Sequence, residues 1–286
     1  MGEGCRWFVP SLAALAWSAG RDGLRLMHPY LLDVYLGDGS TRGGNGSPSL
    51  TNEDPCILAA VRALLPLGVS LVPAKGRPLA YNITSGRSGP RVNRMANYLE
   101  ELGLRRLKSE LKFIPEDYLW LSAADRLWLI RGLCDTDGTV EEQGTTVEFS
   151  TSSPKLAQGM RHLVESLGGT ANTTSRVPTY THNGELRSGL DSYRVWLKLP
   201  PPLNPFHTPR KSRRYVAPSK YPPRRAIEAV LPVGRGSVVD LRLREGRTFV
   251  TRFFLVTHAG GDRRETRYAG AERLQISPLP PPKALL

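Results

Sequence analysis

Residues 31–39 read LLDVYLGDG and residues 130–138 read IRGLCDTDG. A single shift of 99 residues brings these two stretches together and puts Asp38 on Asp137 and Gly39 on Gly138. The same shift puts Pro55 on Pro154, Arg62 on Arg161 and Leu64 on Leu163. A chain that repeats itself in this way is built from copies of one supersecondary unit. Two copies are too few for a solenoid. They predict instead one domain with pseudo-two-fold symmetry, whose two like helices meet at the axis.

The local signals fit a repeated α+β unit. Pro29 stands where a first helical turn tolerates proline, and Tyr30 to Leu36 is apolar. Asp54-Pro55 opens a second helix with Ile57, Leu58, Val61, Leu64 and Leu65 at helical spacing. Val69–Val72 and Leu79–Thr84 read as strands, and Val92–Leu102 as a helix stopped by Gly103. The order then returns. Ser122 and Asp125 form a capping box, followed by a helix to Leu133, a strand over Thr145–Ser150, a helix over Pro154–Leu167 and a strand over Tyr193–Leu199. The predicted boundaries are an N-terminal segment 1–27, a first repeat 28–119, a second repeat 120–204, a basic linker or arm 205–225, a β-rich segment 226–259 and a disordered tail 260–286. The linker reading rests on its prolines and on seven Lys or Arg between Pro205 and Arg225 with no acid among them.

Composition narrows the function. The formal net charge of +13 points to a polyanion, nucleic acid before an anionic membrane. No apolar run approaches the ~18 residues a spanning helix needs, and the basic residues are not gathered on one amphipathic helix. Phe8–Ala19 follows Arg6 and could pass for a poor signal peptide, but Glu3 weakens its positive flank, and a helix packed on the domain is the expected reading. Three widely spaced cysteines form neither a metal-ligand pattern nor a disulfide framework, which fits a reducing, cytoplasmic setting.

The chemistry lies in the repeated motif. One Asp-Gly is only a turn signal. Two of them, each closing a helix and in register, would aim Asp38 and Asp137 at one point. Converging carboxylates bind hard divalent cations, Mg²⁺ being the usual choice beside phosphate. Such ions activate water and stabilise charge on a scissile phosphate.

These motifs resemble the paired signatures of the LAGLIDADG (DOD-type) homing endonucleases, often carried inside inteins. The second motif with its flank, LIRGLCDTDGTV, is the nearer match. The element Lys112-Phe113-Ile114-Pro115, 25 residues before Asp137, and the continuation EFSTSSPKLAQGMRHLVESLGG (148–169) are similar to that family as well. The resemblance covers residues 28–218. It implies a duplicated αββαββ fold, a monomer bound to double-stranded DNA, and phosphodiester hydrolysis with two or three divalent ions. It implies that Asp38 and Asp137 hold metal beside the carbonyls of Gly37 and Thr136. Lys112 would stand near the scissile phosphate, with an ordinary surface lysine as the alternative. Lys211 is its expected counterpart in the second half, and Lys198 the competitor.

The first motif departs from the family at its third position. Gly132 is small there, as close helix contact requires, but the equivalent residue is Asp33. A carboxylate buried without a partner is costly. The expectation is that the first helix is rotated or spaced out, or that Asp33 pairs with a base such as Arg131.

A sheet that follows the major groove needs polar and basic residues on its open face. Lys75, Arg77, Asn82 and Thr84 are the candidates in the first half, and Arg176, Arg187, Arg194 and Lys198 in the second. Arg210, Arg213 and Arg214 add a basic cluster. Most such residues touch phosphate and few read bases.

Residues 226–260 resemble the C-terminal part of an intein splicing domain, with VVDLRL followed by FVTRFFLVTH. His258 holds the position of the penultimate histidine, while Ala259 stands where the cyclising asparagine would be. Alanine has no amide to cyclise, and Met1–Met27 shows no opening splicing block, so the expected state is a degenerate remnant. The alternatives to an active endonuclease are a non-cutting DNA-binding descendant of the same fold and part of a split or degenerate self-splicing intein.

Overall fold

The computed structural model describes residues 8–10, 12–16, 26–41, 46–87, 92–182, 185–218, 224–227, 229, 231–232, 234, 248–251 and 254–258. The chain divides into two compact units, one formed by Met1–Pro10 with Arg224–Leu286, the other by Ser11–Pro223.

In the smaller unit, β1 (Phe8–Pro10) pairs antiparallel with β12 (Arg224–Ala226), and β13 (Thr248–Val250) with β14 (Val256–His258). Among the described residues its elements are all strands. Ala259, VVDLRL and the tail after Gly260 lie outside the described residues.

The larger unit is α+β and visibly duplicated. Its first half runs α1 (Pro29–Asp38), β2 (Gly39–Ser40), β3 (Ser49–Thr51), α2 (Pro55–Leu64), β4 (Ser70–Pro73), β5 (Ala80–Thr84) and α3 (Arg94–Glu101). A 3-10 turn (Ser109–Leu111) and α4 (Glu116–Leu119) lead to the second half. That half runs α5 (Ala123–Asp137), β6 (Gly138–Val140), β7 (Val147–Thr151), α6 (Pro154–Ser166), β8 (Thr170–Arg176), β9 (Thr179–His182), β10 (Glu185–Ser188), β11 (Ser192–Lys198) and α7 (Pro209–Ser212). The two four-stranded antiparallel sheets have equivalent orders, β2-β3-β5-β4 and β6-β7-β11-β8. Topology thus repeats wherever the sequence does.

Capping explains where the helices begin. The side chains of Asp54, Asn93, Ser122 and Ser153 accept from backbone N–H groups two or three residues on, satisfying donors a first turn leaves open. The Ser122–Asp125 box forms as expected, with the Asp125 N–H 3.1 Å from Ser122 Oγ.

Both motif helices are interior. Every residue of α1 from Pro29 to Leu36 is buried, so this helix has no solvent face. It packs on α5 at equivalent positions of the repeat. A Cβ built on Gly132 would sit 2.8 Å from the Asp33 Cβ, 2.9 Å from the Tyr30 carbonyl and 3.0 Å from the Val34 N. One turn on, a Cβ on Gly37 would overlap the side chains of Thr136 and Asp137. Glycine at 37 and 132 lets the two backbones meet across the dyad, and the apolar core of both sheets gathers around this pair.

Three expectations are corrected. Leu12–Ala16 is not helical. The Leu15 N–H donates to the Ser166 carbonyl at 3.0 Å, and the Leu15 carbonyl accepts from the fully buried Arg126 guanidinium, so this backbone serves partners outside itself. Residues 205–217 are no linker. Phe206, Thr208, Lys211 and Tyr215 are buried, and Asp135 accepts from the His207 and Thr208 N–H groups and from Thr208 Oγ1 at 2.9 Å. The Asp135 carboxylate anchors the segment despite its prolines and charge. Finally, neither rotation of α1 nor an ion pair relieves Asp33. It is 0 % exposed and neither carboxyl oxygen has a hydrogen-bond partner, while Arg131 stacks over Trp128 at 4.6 Å and donates to the Asn204 carbonyl.

Candidate functional site

Asp38 and Asp137 are the last residues of α1 and α5. The contact between the helices brings these two ends together. Burial raises the pKa of both carboxyls. For Asp137 the charge of Asp38 adds to it, and the group is pushed up to about 6, against the lowering effects of Thr136, Lys112 and Lys211. Asp38 is raised by burial too, against the lowering effects of Asn52, whose Nδ2 donates to its Oδ2 at 2.6 Å, and of Lys112 and Lys211. Two carboxylates that repel one another in a partly desolvated place form a site with affinity for a cation.

The lysines obey the same 99-residue shift. Lys112 Nζ donates to the carbonyls of Leu36 and Gly39, both at 2.8 Å, and reaches Tyr35 at 3.4 Å. Lys211 Nζ donates to Cys134, Asp135 and Gly138 at 2.9, 2.6 and 2.7 Å. Each acceptor of Lys112 has its shifted equivalent among those of Lys211, which also reaches the Thr136 carbonyl at 3.4 Å. Each ammonium therefore closes the end of a motif helix, where bare carbonyls and the negative end of the dipole favour a cation. Lys112 is 7 % exposed and Lys211 9 %, so neither is an ordinary surface lysine. Desolvation lowers the Lys211 pKa, against the raising effect of Asp135 and Asp137 nearby. Lys198, by contrast, is an exposed end residue of β11, on the strand's open face.

The remaining candidates distribute over two open sheet faces. Asn82 lies across from Ser49 and Val72, and Thr84 across from Ser70, opposite in facing to the buried Leu71–Ile83 pair. Lys75 and Arg77 stand exposed in the β4–β5 turn. On the second sheet, Arg194 pairs in register with Thr174 and Ser150, and Lys198 with Thr170, facing away from buried Val195 and Leu197. Arg176 continues that open face at the end of β8, and Arg194 makes an ion pair with Glu148 at 3.2 Å. Arg187 is on β10, away from the sheet proper. Arg210, Arg213 and Arg214 are exposed around α7, with Arg210 3.8 Å from Asp54. His258 is in β14 opposite Thr248, in the other unit.

Sequence reasoning missed Asn52, Asp135 and Thr208. Asn52 has no repeat signal, because its 99-shifted equivalent is Thr151. Asp135 could have been noticed as an acid in a motif helix whose equivalent, Leu36, is apolar.

Among the described residues no helix is long and apolar enough to cross a membrane, and no group of three or more His, Cys, Asp or Glu side chains could hold a metal. Any ion held by Asp38 and Asp137 therefore needs further oxygen ligands from backbone, water or substrate.

Comparison with known proteins gives three results. A replicative DNA helicase DnaB of Mycobacterium intracellulare is 28 % identical over 218 residues, 76 % of this chain, which spans only 30 % of the length of that relative. Solved structures of the homing endonuclease I-DmoI, including complexes with DNA and Ca and with DNA and Mn, match with a TM-score of 0.36 at 14 % identity. They cover 60–61 % of this chain and 83–89 % of theirs. The family described as LAGLIDADG-like domain matches residues 124–198. Residues 124–198 of this chain are thus similar to a LAGLIDADG-like domain, and they lie in an α+β unit whose first half repeats the same sheet and the same helix-end lysine.

Proposed function

We propose that this chain is a site-specific, double-strand DNA endonuclease that works with divalent metal. The observation that carries the reading is the matched pair of helix ends, each with an aspartate at its tip and a buried lysine against its last carbonyls. Asp38 and Asp137 fit a hard cation, since each is a carboxylate raised by burial and the Asp137 pKa is raised further by its neighbour. They would hold Mg²⁺ together with the Gly37 and Thr136 carbonyls, and such an ion supplies Lewis acidity and an activated water. Asn52 orients Asp38 through its amide. Lys112 and Lys211 keep the helix ends rigid and place positive charge beside a bound phosphate. Asn82, Thr84, Arg176, Arg194 and Lys198 would lie along the duplex, with Lys75, Arg77, Arg187, Arg210, Arg213 and Arg214 on its phosphates. A monomer suffices, because both helix ends come from one chain.

A second reading concerns context. Antiparallel pairing of Phe8–Pro10 with Arg224–Ala226 returns the chain to its starting place after the larger unit, as an insertion within another domain would. A match to part of a helicase agrees with such an insertion. With the β13–β14 pair and His258, this supports an intein-derived setting in which Ala259 forbids asparagine cyclisation.

The test is cleavage of a random-insert plasmid library by the full chain with Mg²⁺. The expected product is linear DNA with one recurring end sequence, lost with chelator. Duplex retention without any cut would favour the non-cutting descendant.

A further inference from the structure

The two sheets share a strand order but not a length. In the first repeat the outer pair closes at once. β4 is four residues long, and the chain turns back with the Arg77 N–H on the Ala74 carbonyl. In the second repeat β8 pairs with β11 over seven residues, from Thr170↔Lys198 to Arg176↔Ser192. The chain does not turn there. The Gly189 N–H donates to the Pro178 carbonyl at 2.7 Å, and the β9–β10 hairpin carries the pairing on from Ser188↔Thr179 to Glu185↔His182.

The result is an arm of two successive antiparallel pairs, Thr170–Arg176 with Ser192–Lys198 inside the sheet and Thr179–His182 with Glu185–Ser188 as a separate two-stranded ribbon, joined through the Gly189–Pro178 hydrogen bond. At ~3.3 Å per residue the arm is roughly 40 Å long, against roughly 13 Å for β4. Beyond Ala171 its first strand is exposed through Arg176, and Tyr180 and Arg187, directly across from one another, are exposed as well. A two-stranded ribbon with so little buried surface is marginal by itself, so its apolar contacts do not account for it. The arm's buried residues Ala171, Val195 and Leu197 all lie at the end inside the four-stranded sheet. Arg176, Arg187, Arg194 and Lys198 outnumber Glu185 and Asp191 along it, with Arg187 paired to Glu185 at 3.1 Å. A ribbon of this width is one of the two elements that the B-DNA major groove admits.

We infer that the arm is a duplex-DNA contact present in the second repeat alone, and that it lengthens the DNA footprint on one side of the cleavage centre. The inference rests on the DNA-binding reading above. The extra ~27 Å corresponds to at most about eight base pairs at ~3.4 Å each. The target is then lopsided: the second half-site is longer than the first, with Tyr180 and Arg187 touching its outer end.

Selection from a random-sequence duplex library with Ca²⁺, followed by hydroxyl-radical footprinting of the recovered duplexes, tests this. Wild type is compared with a variant whose residues 179–188 are replaced by a short glycine turn, and with the milder Tyr180→Ser/Arg187→Ser variant, both checked for an unchanged thermal transition. The expected result is an unequal wild-type footprint that both variants shorten at the long end only, the centre staying protected. A footprint equal on both sides, or one unchanged in the Tyr180→Ser/Arg187→Ser variant, overturns the inference and leaves the endonuclease reading standing. Failure of wild type to retain any duplex overturns both.

Discussion

Asp33 and Gly132 hold the same place in the two repeats and touch each other across the dyad, a Cβ on Gly132 falling 2.8 Å from that of Asp33. The closest approach of the two motif helices therefore carries a buried carboxyl without a hydrogen bond. Burial holds its pKa well above the usual carboxylate range. A carboxyl raised in this way favours the folded state while protonated. That contribution is complete below the unfolded value of about 4 and is lost as pH rises through the folded value.

Asp33→Asn should accordingly raise the melting temperature above neutral pH and change it little near pH 4. The gain is the ionisation cost that the amide does not carry, about 1.4 kcal/mol for each unit by which burial raises the carboxyl, while the unsatisfied polar group itself remains. Thermal denaturation across pH checks it; a gain that is largest in acid would contradict the burial of an unpaired carboxyl.

Gly132→Ala should destabilise by about 1–3 kcal/mol through overpacking. Pairing it with Asp33→Gly should not restore stability, because the Tyr30 carbonyl and the Val34 N still crowd the new methyl at 2.9 and 3.0 Å. Full rescue in chemical denaturation would mean that the backbones are not in contact.

Asp137 has the same sign for a different reason. Its pKa of about 6 comes from burial and from Asp38, so in metal-free buffer its ionised form costs stability, and the cost grows as pH rises through 6. Asp137→Asn should raise metal-free stability at pH 8, by up to about 3 kcal/mol before solvent screening reduces it, and with it the melting temperature, and not at pH 4. Mg²⁺ should stabilise wild type at pH 8 and leave the Asp38→Asn/Asp137→Asn variant unmoved.

Much of this arrangement was legible in the sequence because it repeats. Asp38, Asp137, Gly132 and the Lys112 element could be read off by register, and the 99-residue shift also selects Lys211 over Lys198. What was not legible had no repeat behind it. The anchoring of residues 205–215 depends on Asp135, an acid present in one copy only, whose carboxylate outweighs a composition that otherwise reads as a linker. Leu12–Ala16 has helical composition, but its backbone is taken by Ser166 and Arg126, tertiary partners that no local pattern displays.

The burial of Lys211 changes how the basic segment should behave toward DNA. Arg213 and Arg214 are exposed, whereas the Lys211 ammonium is held by α5 carbonyls. Arg213→Ala/Arg214→Ala should flatten the log–log salt dependence of duplex binding by up to about 0.9 per charge. Lys211→Met should instead lower stability and leave that slope nearly unchanged. A slope that follows Lys211 would place it on the surface.

The central claim is that the two helix tips form one nuclease centre, and strand-resolved cleavage of a supercoiled plasmid carrying a selected site tests it most directly. Wild type, Asp38→Asn, Asp137→Asn and Lys198→Met are compared with Mg²⁺ present and absent. The account predicts linear product from wild type with Mg²⁺ only, the same product from Lys198→Met once more protein offsets its weaker duplex binding, and none from either aspartate variant. Full double-strand cleavage by Asp38→Asn or Asp137→Asn would contradict it.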